Sequence, residues 1–185
     1  MSDGAAQQRK IPARVTAAQL AEVIGLDVSA VQAVLTARGE PDRPTDLMDA
    51  NLASETARTL GFEVDVEPRD LALECLYEID TRSPEQLPEG IPLRVKRMVT
   101  GVTTDAESLD HDIEAASQHW AVARMPLLDR AILRLGLWEL RNDPDTPTAV
   151  VVSEAVRLAN TYSTGRSGAF INGVLATLAK SARPE

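Results

Sequence analysis

Three consecutive helix patterns between Asp129 and Ala179 limit what this chain can fold into more than any other feature. Apolar residues recur in them at intervals of three and four, at Leu128, Ala131, Ile132 and Leu135, then at Val152, Ala155, Val156 and Ala159, and finally at Phe170, Ile171, Val174, Leu175 and Leu178. Helices with apolar stripes this wide are not stable alone in water, so we predict that the three pack together. Gly173 in the third helix is expected to allow close contact with a neighbouring helix.

Particular sequence words in this stretch point to a family. DRAILRLGLWEL, the proline at position 147, VSEAVRLA, Tyr162 and FINGVL follow one another in order, and LALECLYEID precedes them. Together they resemble the NusB family of bacterial transcription antitermination proteins over about residues 68–180. The resemblance implies an all-α domain over residues 68–185, built as two packed helical subbundles. Glu154 is the expected buried or half-buried charge, paired with an arginine or a helix N-terminus across the bundle.

A small, mostly helical domain is predicted ahead of this region, over residues 15–67. Helix-start residues and closing glycines predict three helices and a short strand, over residues 16–25, 27–39, 49–60 and 62–66. Thr16 and Gln19 form a capping box for the first helix. Residues 1–14 are polar and interrupted by proline, and we expect a disordered tail there.

The helix order of this small domain also occurs in helix-turn-helix DNA readers. Its second helix, SAVQAVLTAR, offers a single basic side chain for phosphate contact, which disfavours DNA reading. LAEVIGLDVSAVQAVL and LASETARTLGFEVDVE instead resemble the small N-terminal domain of bacterial translation initiation factor two. That resemblance implies an accessory module without catalysis, which acts either as a spacer or in contact with the ribosome or RNA.

Charge and cysteine content exclude several classes of protein. The net charge is −9, and residues 1–67 carry 6 basic and 11 acidic side chains while residues 68–185 carry 13 and 17. Neither part is therefore a basic module that holds nucleic acid by bulk charge. The single cysteine, Cys75, excludes an internal disulfide and is expected to be a buried small apolar residue. No apolar run approaches the roughly 20 residues of a membrane span and no signal-peptide pattern opens the chain, so we expect a cytoplasmic protein without membrane contact.

No catalytic, metal or cofactor site is expected. The only histidines, His111 and His119, lie eight residues apart on one predicted helix and cannot close a metal site together. Residues 164–168, Thr-Gly-Arg-Ser-Gly, lack the lysine and the preceding strand of a phosphate-binding loop. We therefore predict that the protein is not an enzyme.

The NusB resemblance implies a protein partner and residues that contact it. NusB-like proteins are helical adaptors that bind boxA RNA together with a small-subunit ribosomal protein, NusE, in the RNA polymerase antitermination complex. By position, Tyr77, Asp129, Tyr162 and Phe170 match the surface that faces this partner. Core packing remains an alternative role for Tyr77, and capping of the helix that begins with AILRLGL remains one for Asp129.

The RNA side of the resemblance is incomplete. NusB proteins carry a run of Arg and Lys before the helix that matches LALECLYEID, whereas residues 63–70 here hold one arginine among four acids. Other basic residues would have to contact phosphate, and we assign this role to Arg69, Arg94, Lys96, Arg97 and Arg166, with Arg9, Lys10 and Arg14 as further candidates. Two functions follow as hypotheses. One is an antitermination adaptor that binds boxA RNA jointly with NusE during ribosomal RNA transcription, and the other is a NusB-shaped protein-interaction module that binds little RNA itself.

Overall fold

The computed structural model describes residues 9–82, 87, 91–118 and 120–183, and helices dominate both of its compact units. The units are Met1–Leu71 and Ala72–Glu185. The all-α class predicted from the sequence is confirmed. The division falls after Leu71, inside a helix that starts at Pro68, four residues beyond the predicted boundary.

Short strands and three helices make up the first unit. In chain order they are β1 (Arg9–Ile11), β2 (Arg14–Thr16), α1 (Ala17–Ile24), α2 (Val28–Arg38), β3 (Leu47–Asp49), α3 (Ala50–Thr59) and β4 (Val64–Val66). Strand β1 pairs with β4 in parallel, with Lys10 opposite Asp65, and β2 pairs with β3 antiparallel, with Val15 opposite Met48. Buried aliphatic side chains from the helices and from β1–β3, such as Leu20, Val31 and Met48, form its core.

The prediction of a disordered tail over residues 1–14 is wrong for residues 9–14. Ile11 and Ala13 are 1% and 2% exposed, and Ile11, the last residue of the paired strand β1, belongs to the core. Residues 1–8 lie outside the described part of the chain. Two basic side chains of this segment that were candidates for RNA contact bind other residues of the first unit. The Arg9 guanidinium donates to the carbonyl of Ile24 at 2.5 Å, and Lys10 forms an ion pair with Glu67 at 3.1 Å.

Helix ends in the first unit follow the local signals of the sequence. The Thr16 hydroxyl accepts from the backbone of Gln19 and the Gln19 side chain accepts in return, which is the predicted capping box. Helix α1 ends at Gly25 with φ +76°, a conformation that glycine adopts without steric cost. Asp27 caps α2, and its carboxylate accepts from the backbone of Ser29 at 2.9 Å.

The second unit contains the remaining helices, the first of which, α4, begins in the first unit. They are α4 (Pro68–Arg82), α5 (Leu93–Thr104), α6 (Ala106–Ala116), a 3₁₀ turn (Val122–Arg124), α7 (Leu127–Asn142), α8 (Thr148–Tyr162) and α9 (Ser167–Ala182). Helix α6 ends before His119, which lies outside the described residues. No described helix has both the length and the apolar character that crossing a membrane requires.

Helix α7 is the centre of the second unit, because α5, α6, α8 and α9 all contact it. The predicted mutual packing of α7, α8 and α9 is confirmed. A Cβ on Gly136 would lie 2.8 Å from a methyl of Leu175 and 3.7 Å from Ala155, so this glycine lets the three helices approach. The expectation for Gly173 is wrong, because a Cβ added there would meet no heavy atom within 4 Å.

The end of α9 is fastened to the end of α7 by one side chain. The guanidinium of Arg183 donates to the carbonyls of Leu140 at 2.8 Å and Asp143 at 2.6 Å, and to that of Thr146 at 2.6 Å. These carbonyls end α7 or belong to the connection to α8, where intrahelical donors are absent. Arg183 therefore fixes the α7–α8 connection from a residue about 40 positions away.

Candidate protein and RNA interaction surfaces

Asp129 lies in the first turn of α7, and its predicted role as the helix cap is wrong. Helix α7 begins at Leu127 with Pro126 in the cap position, so Asp129 is the third helical residue. Its carboxylate is buried, with 4% exposure, and accepts hydrogen bonds from the hydroxyls of Ser163 at 2.6 Å and Ser167 at 2.9 Å. A buried carboxylate needs such donors, because an unpaired one loses its hydration without compensation.

The same contacts hold the connection between α8 and α9. The Thr164 hydroxyl lies 2.8 Å from the Ser167 hydroxyl, which extends the cluster. A Cβ on Gly168 would lie 2.2 Å from the side-chain oxygen of Asn160, so glycine is required for this close approach. We call Asp129, Ser163, Thr164 and Ser167 the hydroxyl cluster. It fixes a loop that presents its neighbours on the surface.

Two of the predicted partner-binding aromatic residues, Tyr162 and Phe170, lie close to this cluster in the sequence. Tyr162 ends α8 next to Ser163 and is half-buried, and Phe170 lies on the first turn of α9 and is half-buried. Tyr77 on α4 is 41% exposed, while Leu73 and Leu76 beside it are buried, so Tyr77 is on the outer face and is not a core residue.

An ion pair connects the Tyr77 helix to the start of α7. Asp80, one turn after Tyr77, accepts from Arg130 at 2.9 Å, and Arg130 follows Asp129 directly. Arg134, one turn further along α7, binds Asp110 of α6 through two contacts of 2.7 Å. This bidentate pair raises the pKa of Arg134 above its usual value, although burial acts in the opposite direction. The α7 arginines thus hold α4 and α6 in place.

Two of the predicted RNA-binding residues lie together on α5. Arg94 and Arg97 line an open groove of about 450 Å³ with Leu93, Asp143, Asp145 and Thr146. We call this the α5 groove. Arg94 forms an ion pair with Asp143 at 3.3 Å, and the Arg97 guanidinium lies 5.8 Å from the ring centre of Trp138. The groove therefore carries two guanidinium groups and two carboxylates, which lowers its positive potential.

The other predicted RNA-binding residues are placed apart from that groove. Lys96 is exposed on α5 but does not line the groove. Arg166 is exposed at the N-terminal cap position of α9, beside the hydroxyl cluster. Arg69 belongs to the first unit and is half-buried near the start of α4. The structure thus brings Arg94 and Arg97 together and places Arg166 on the surface where Phe170 lies.

One residue of these surfaces, Trp120, was not identified from the sequence. The pairing of one glutamate and the burial of another also differ from what the sequence indicated. Trp120 is 51% exposed, and its ring centre lies 5.4 Å from that of Phe170. Glu154 is half-buried as expected, but it pairs at 3.0 Å with Arg157 on its own helix and not across the bundle. Among the glutamates that the structure describes, Glu139 is the most buried, with 2% exposure. Glu139 lies on the inner side of α7, and the surrounding sequence LWEL does not indicate that it is buried.

No metal site appears among the residues that the structure describes, in the sense that no group of three or more His, Cys, Asp or Glu side chains is arranged to hold an ion. Cys75 is buried, as predicted. Burial raises the pKa of its thiol to about 11, and the nearby Glu74 and Glu78 carboxylates add to the shift. A thiol with this pKa is almost entirely protonated at neutral pH and is a poor nucleophile.

The two sequence relatives described next have the same name. The transcription antitermination protein NusB of Leifsonia xyli subsp. xyli is 40% identical over 129 residues, which cover 70% of this chain and 90% of that protein. The protein of the same name from Sorangium cellulosum is 48% identical over 84 residues, which cover 45% of this chain and 60% of that protein.

Solved structures give the same result for the fold. NusB of T. maritima superposes with a TM-score of 0.57 at 29% identity, covering 63% of this chain and 91% of that one. A chain in the crystal structure of antitermination factors NusB and NusE in complex with dsRNA has a TM-score of 0.54 at 25% identity, covering 62% and 94%. The family model described as the NusB family matches residues 66–180, which is well over half of the sequence. The chain therefore belongs to the NusB family.

Proposed function

We propose that this protein is a transcription antitermination adaptor that binds the small-subunit ribosomal protein NusE and RNA together. The observation that carries the proposal is the hydroxyl cluster. It buries the Asp129 carboxylate and fixes the α8–α9 loop, so that Tyr162 and Phe170 are held on the surface. A surface with fixed aromatic residues loses little conformational entropy on binding, which is typical of the centre of protein interfaces.

Family membership supports the choice of partners. Relatives are named for transcription antitermination, and a structural neighbour was solved with NusE and dsRNA. We infer that NusE contacts Tyr77, Tyr162 and Phe170, and that Asp129 acts through the loop that it holds. An acidic protein of net charge −9 also complements a basic ribosomal protein. In this proposal the RNA is of the boxA type, ribosomal RNA transcription is the process, and the complex joins RNA polymerase in the cytoplasm.

The α5 groove favours the second hypothesis, a protein-interaction module with little RNA binding of its own. Arg94 is already paired with Asp143, and Asp145 lies on the same groove. The exposed acids Glu63 and Asp65 occupy the segment where the family has its basic run. RNA affinity in the adaptor hypothesis must therefore come largely from the basic partner, since each phosphate contact needs a cation.

Titration of labelled boxA RNA separates the two hypotheses. Fluorescence anisotropy is measured for the full-length protein alone and with a saturating amount of NusE, at several salt concentrations. The adaptor hypothesis predicts weak RNA binding by the protein alone, on the order of micromolar, and at least about tenfold tighter binding by the complex than by NusE alone. A complex that binds RNA no better than NusE alone supports the interaction module. Absence of NusE binding contradicts both.

A further inference from the structure

Trp120 is exposed although its backbone makes two hydrogen bonds. Its backbone N–H donates to the carbonyl of Ser117 at 3.3 Å, and its carbonyl accepts from the Ser117 hydroxyl at 3.2 Å. The Glu114 carboxylate accepts from the backbone of Val122 at 2.8 Å, which fixes the other side of the segment. Gln118 between them has φ +57°, a conformation that is uncommon outside glycine. Hydrogen bonds therefore tie the backbone of Trp120 to Ser117 and that of Val122 to Glu114.

Phe170 is the residue against which Trp120 packs, and it connects the indole to the hydroxyl cluster. The two rings are tilted by 53° with centres 5.4 Å apart, within the range of favourable aromatic pairs. Phe170 lies one turn after Ser167, which donates to Asp129. Trp120 thus packs on helix α9, whose first residue, Ser167, donates to Asp129.

We propose that Trp120 and Phe170 together form the apolar centre of the protein-binding surface, and that an apolar side chain of NusE packs on the exposed face of Trp120. The inference rests on the proposed function, and it adds an anchor that lies outside the residues inferred from the family resemblance. A large aromatic ring that is held in place and half exposed has the properties of an interface hot spot. Because the ring already packs on Phe170, less side-chain freedom is lost when the partner binds.

Stacking of an RNA base on Trp120 is the competing use of such a ring. Base-stacking platforms in RNA-binding proteins are combined with a net positive surface that follows the phosphates. Here the charges near the aromatic pair are mixed. Arg124 and Arg166 are exposed, but the Glu114 carboxylate binds the backbone of Val122, two residues after Trp120, and the Asp129 carboxylate is buried next to the loop that it binds. An apolar centre with a rim of both charge signs favours a protein partner.

The test uses the full-length protein and purified NusE, with binding measured by isothermal titration calorimetry. Trp120→Ala is expected to weaken NusE binding at least about tenfold, and Trp120→Phe by less than about threefold, since the ring is kept. Val150→Ala is the matched control, because Val150 is an exposed apolar residue on α8 with 41% exposure, and it should bind as the wild type does. Affinity of the protein alone for boxA RNA should stay within about twofold for all three variants.

A second measurement on the wild type does not depend on the folding of a variant. The only other tryptophan, Trp138, is 5% exposed, so acrylamide quenching of fluorescence reports mainly Trp120. NusE should protect this fluorescence, and boxA RNA alone should not. If the wild type binds NusE but Trp120 remains fully quenchable in the complex, the inference is overturned and the proposed function stands. Loss of RNA binding in Trp120→Ala with unchanged NusE affinity overturns it in favour of base stacking. If the wild type does not bind NusE, the proposed function and this inference both fail.

Discussion

The two candidate surfaces of the second unit differ in where their charges are satisfied. At the hydroxyl cluster, the Asp129 carboxylate is buried and receives two neutral hydroxyl donors, so the charge fixes a loop and apolar rings are left on the surface. At the α5 groove, the carboxylate of Asp143 pairs with Arg94 at the surface itself. The first arrangement prepares a surface for a protein. The second consumes positive charge that RNA would need.

The largest expected effect is at the hydroxyl cluster. Asp129→Ala leaves the Ser163 and Ser167 hydroxyls without their charged acceptor inside the protein. We expect the free energy of unfolding of the second unit to fall by about 2–4 kcal/mol, because hydrogen bonds to a buried charged group are stronger than average. Urea denaturation followed by tryptophan fluorescence measures this, since both tryptophans belong to the second unit. NusE binding should weaken more than tenfold, by about 1.4 kcal/mol or more.

Asp145→Ala is the control for that experiment. Asp145 is an exposed carboxylate on the α5 groove, and its removal should change the free energy of unfolding by less than about 0.5 kcal/mol. An Asp129→Ala protein that unfolds at the same urea concentration as the wild type would show that the cluster does not hold the loop.

A somewhat smaller loss of stability is expected from Arg183→Ala. Its guanidinium satisfies carbonyls at the end of α7 and in the connection that carries Asp143 and Asp145. We expect about 2–3 kcal/mol of destabilisation in the same urea experiment, because several partly buried carbonyls at the end of α7 and after it lose their donor together. Lys180→Ala, an exposed position on the same helix, is the matched control and should be near neutral. Equal stability of both variants would contradict the role of Arg183.

Removing the ion pair between Arg94 and Asp143 in the α5 groove is expected to have a moderate effect on RNA binding. Asp143→Asn removes the charge that pairs with Arg94. It keeps a side-chain oxygen that can accept from the Thr146 hydroxyl, which lies 3.1 Å from Asp143 in the wild type. RNA affinity should rise about threefold to fivefold, and the slope of log affinity against log salt should steepen by about one contact. Anisotropy titrations at several salt concentrations measure both, and NusE affinity should not change. Unchanged RNA binding would show that RNA does not contact the α5 groove.

Sequence periodicity predicts the elements that depend on neighbouring residues. The capping box at Thr16 and the packing of α7–α9 follow from spacings of three or four residues, and the start of α2 at Asp27 follows from a capping residue next to the helix. Strand β1 does not follow from the sequence, because three residues show no period and its partner β4 lies 55 positions away. Strand pairing over such a distance is set by tertiary packing and not by local propensity.

The candidate sites show the same limit. Position in the family motifs selects Asp129 and the loop after Tyr162, but it does not show that the Ser163 and Ser167 hydroxyls, 34 and 38 residues away, bind Asp129. Helical patterns also do not tell which glycine meets another helix. Gly136 does so and Gly173 does not, since the first faces α8 and α9 and the second faces solvent. Trp120 carries no signal in the sequence because its exposure depends on the turn after α6.

The smallest effect is expected at Cys75, which lies on the inner face of α4 while Tyr77 lies on the outer face. Burial raises the thiol pKa from 9.0 to about 11, so the folded protein holds this proton more tightly than the unfolded chain. The resulting stabilisation is fully present below about pH 9 and is lost as the pH rises through about 11. Between pH 7 and pH 8.5 this group should therefore cause almost no change in the free energy of unfolding, which urea denaturation at both pH values can check.

Because folded Cys75 is buried and protonated, a thiol reagent at pH 8 should react only when α4 opens locally. This makes Cys75 a reporter that distinguishes the two surfaces. NusE at twice its dissociation constant should slow modification about threefold if it binds the closed helix at Tyr77, since the open fraction falls by one plus the ratio of ligand concentration to dissociation constant. RNA bound at the α5 groove should leave the rate unchanged, and Cys75→Ser provides the blank. A rate slowed by RNA and not by NusE would reverse the assignment of partners to the two surfaces.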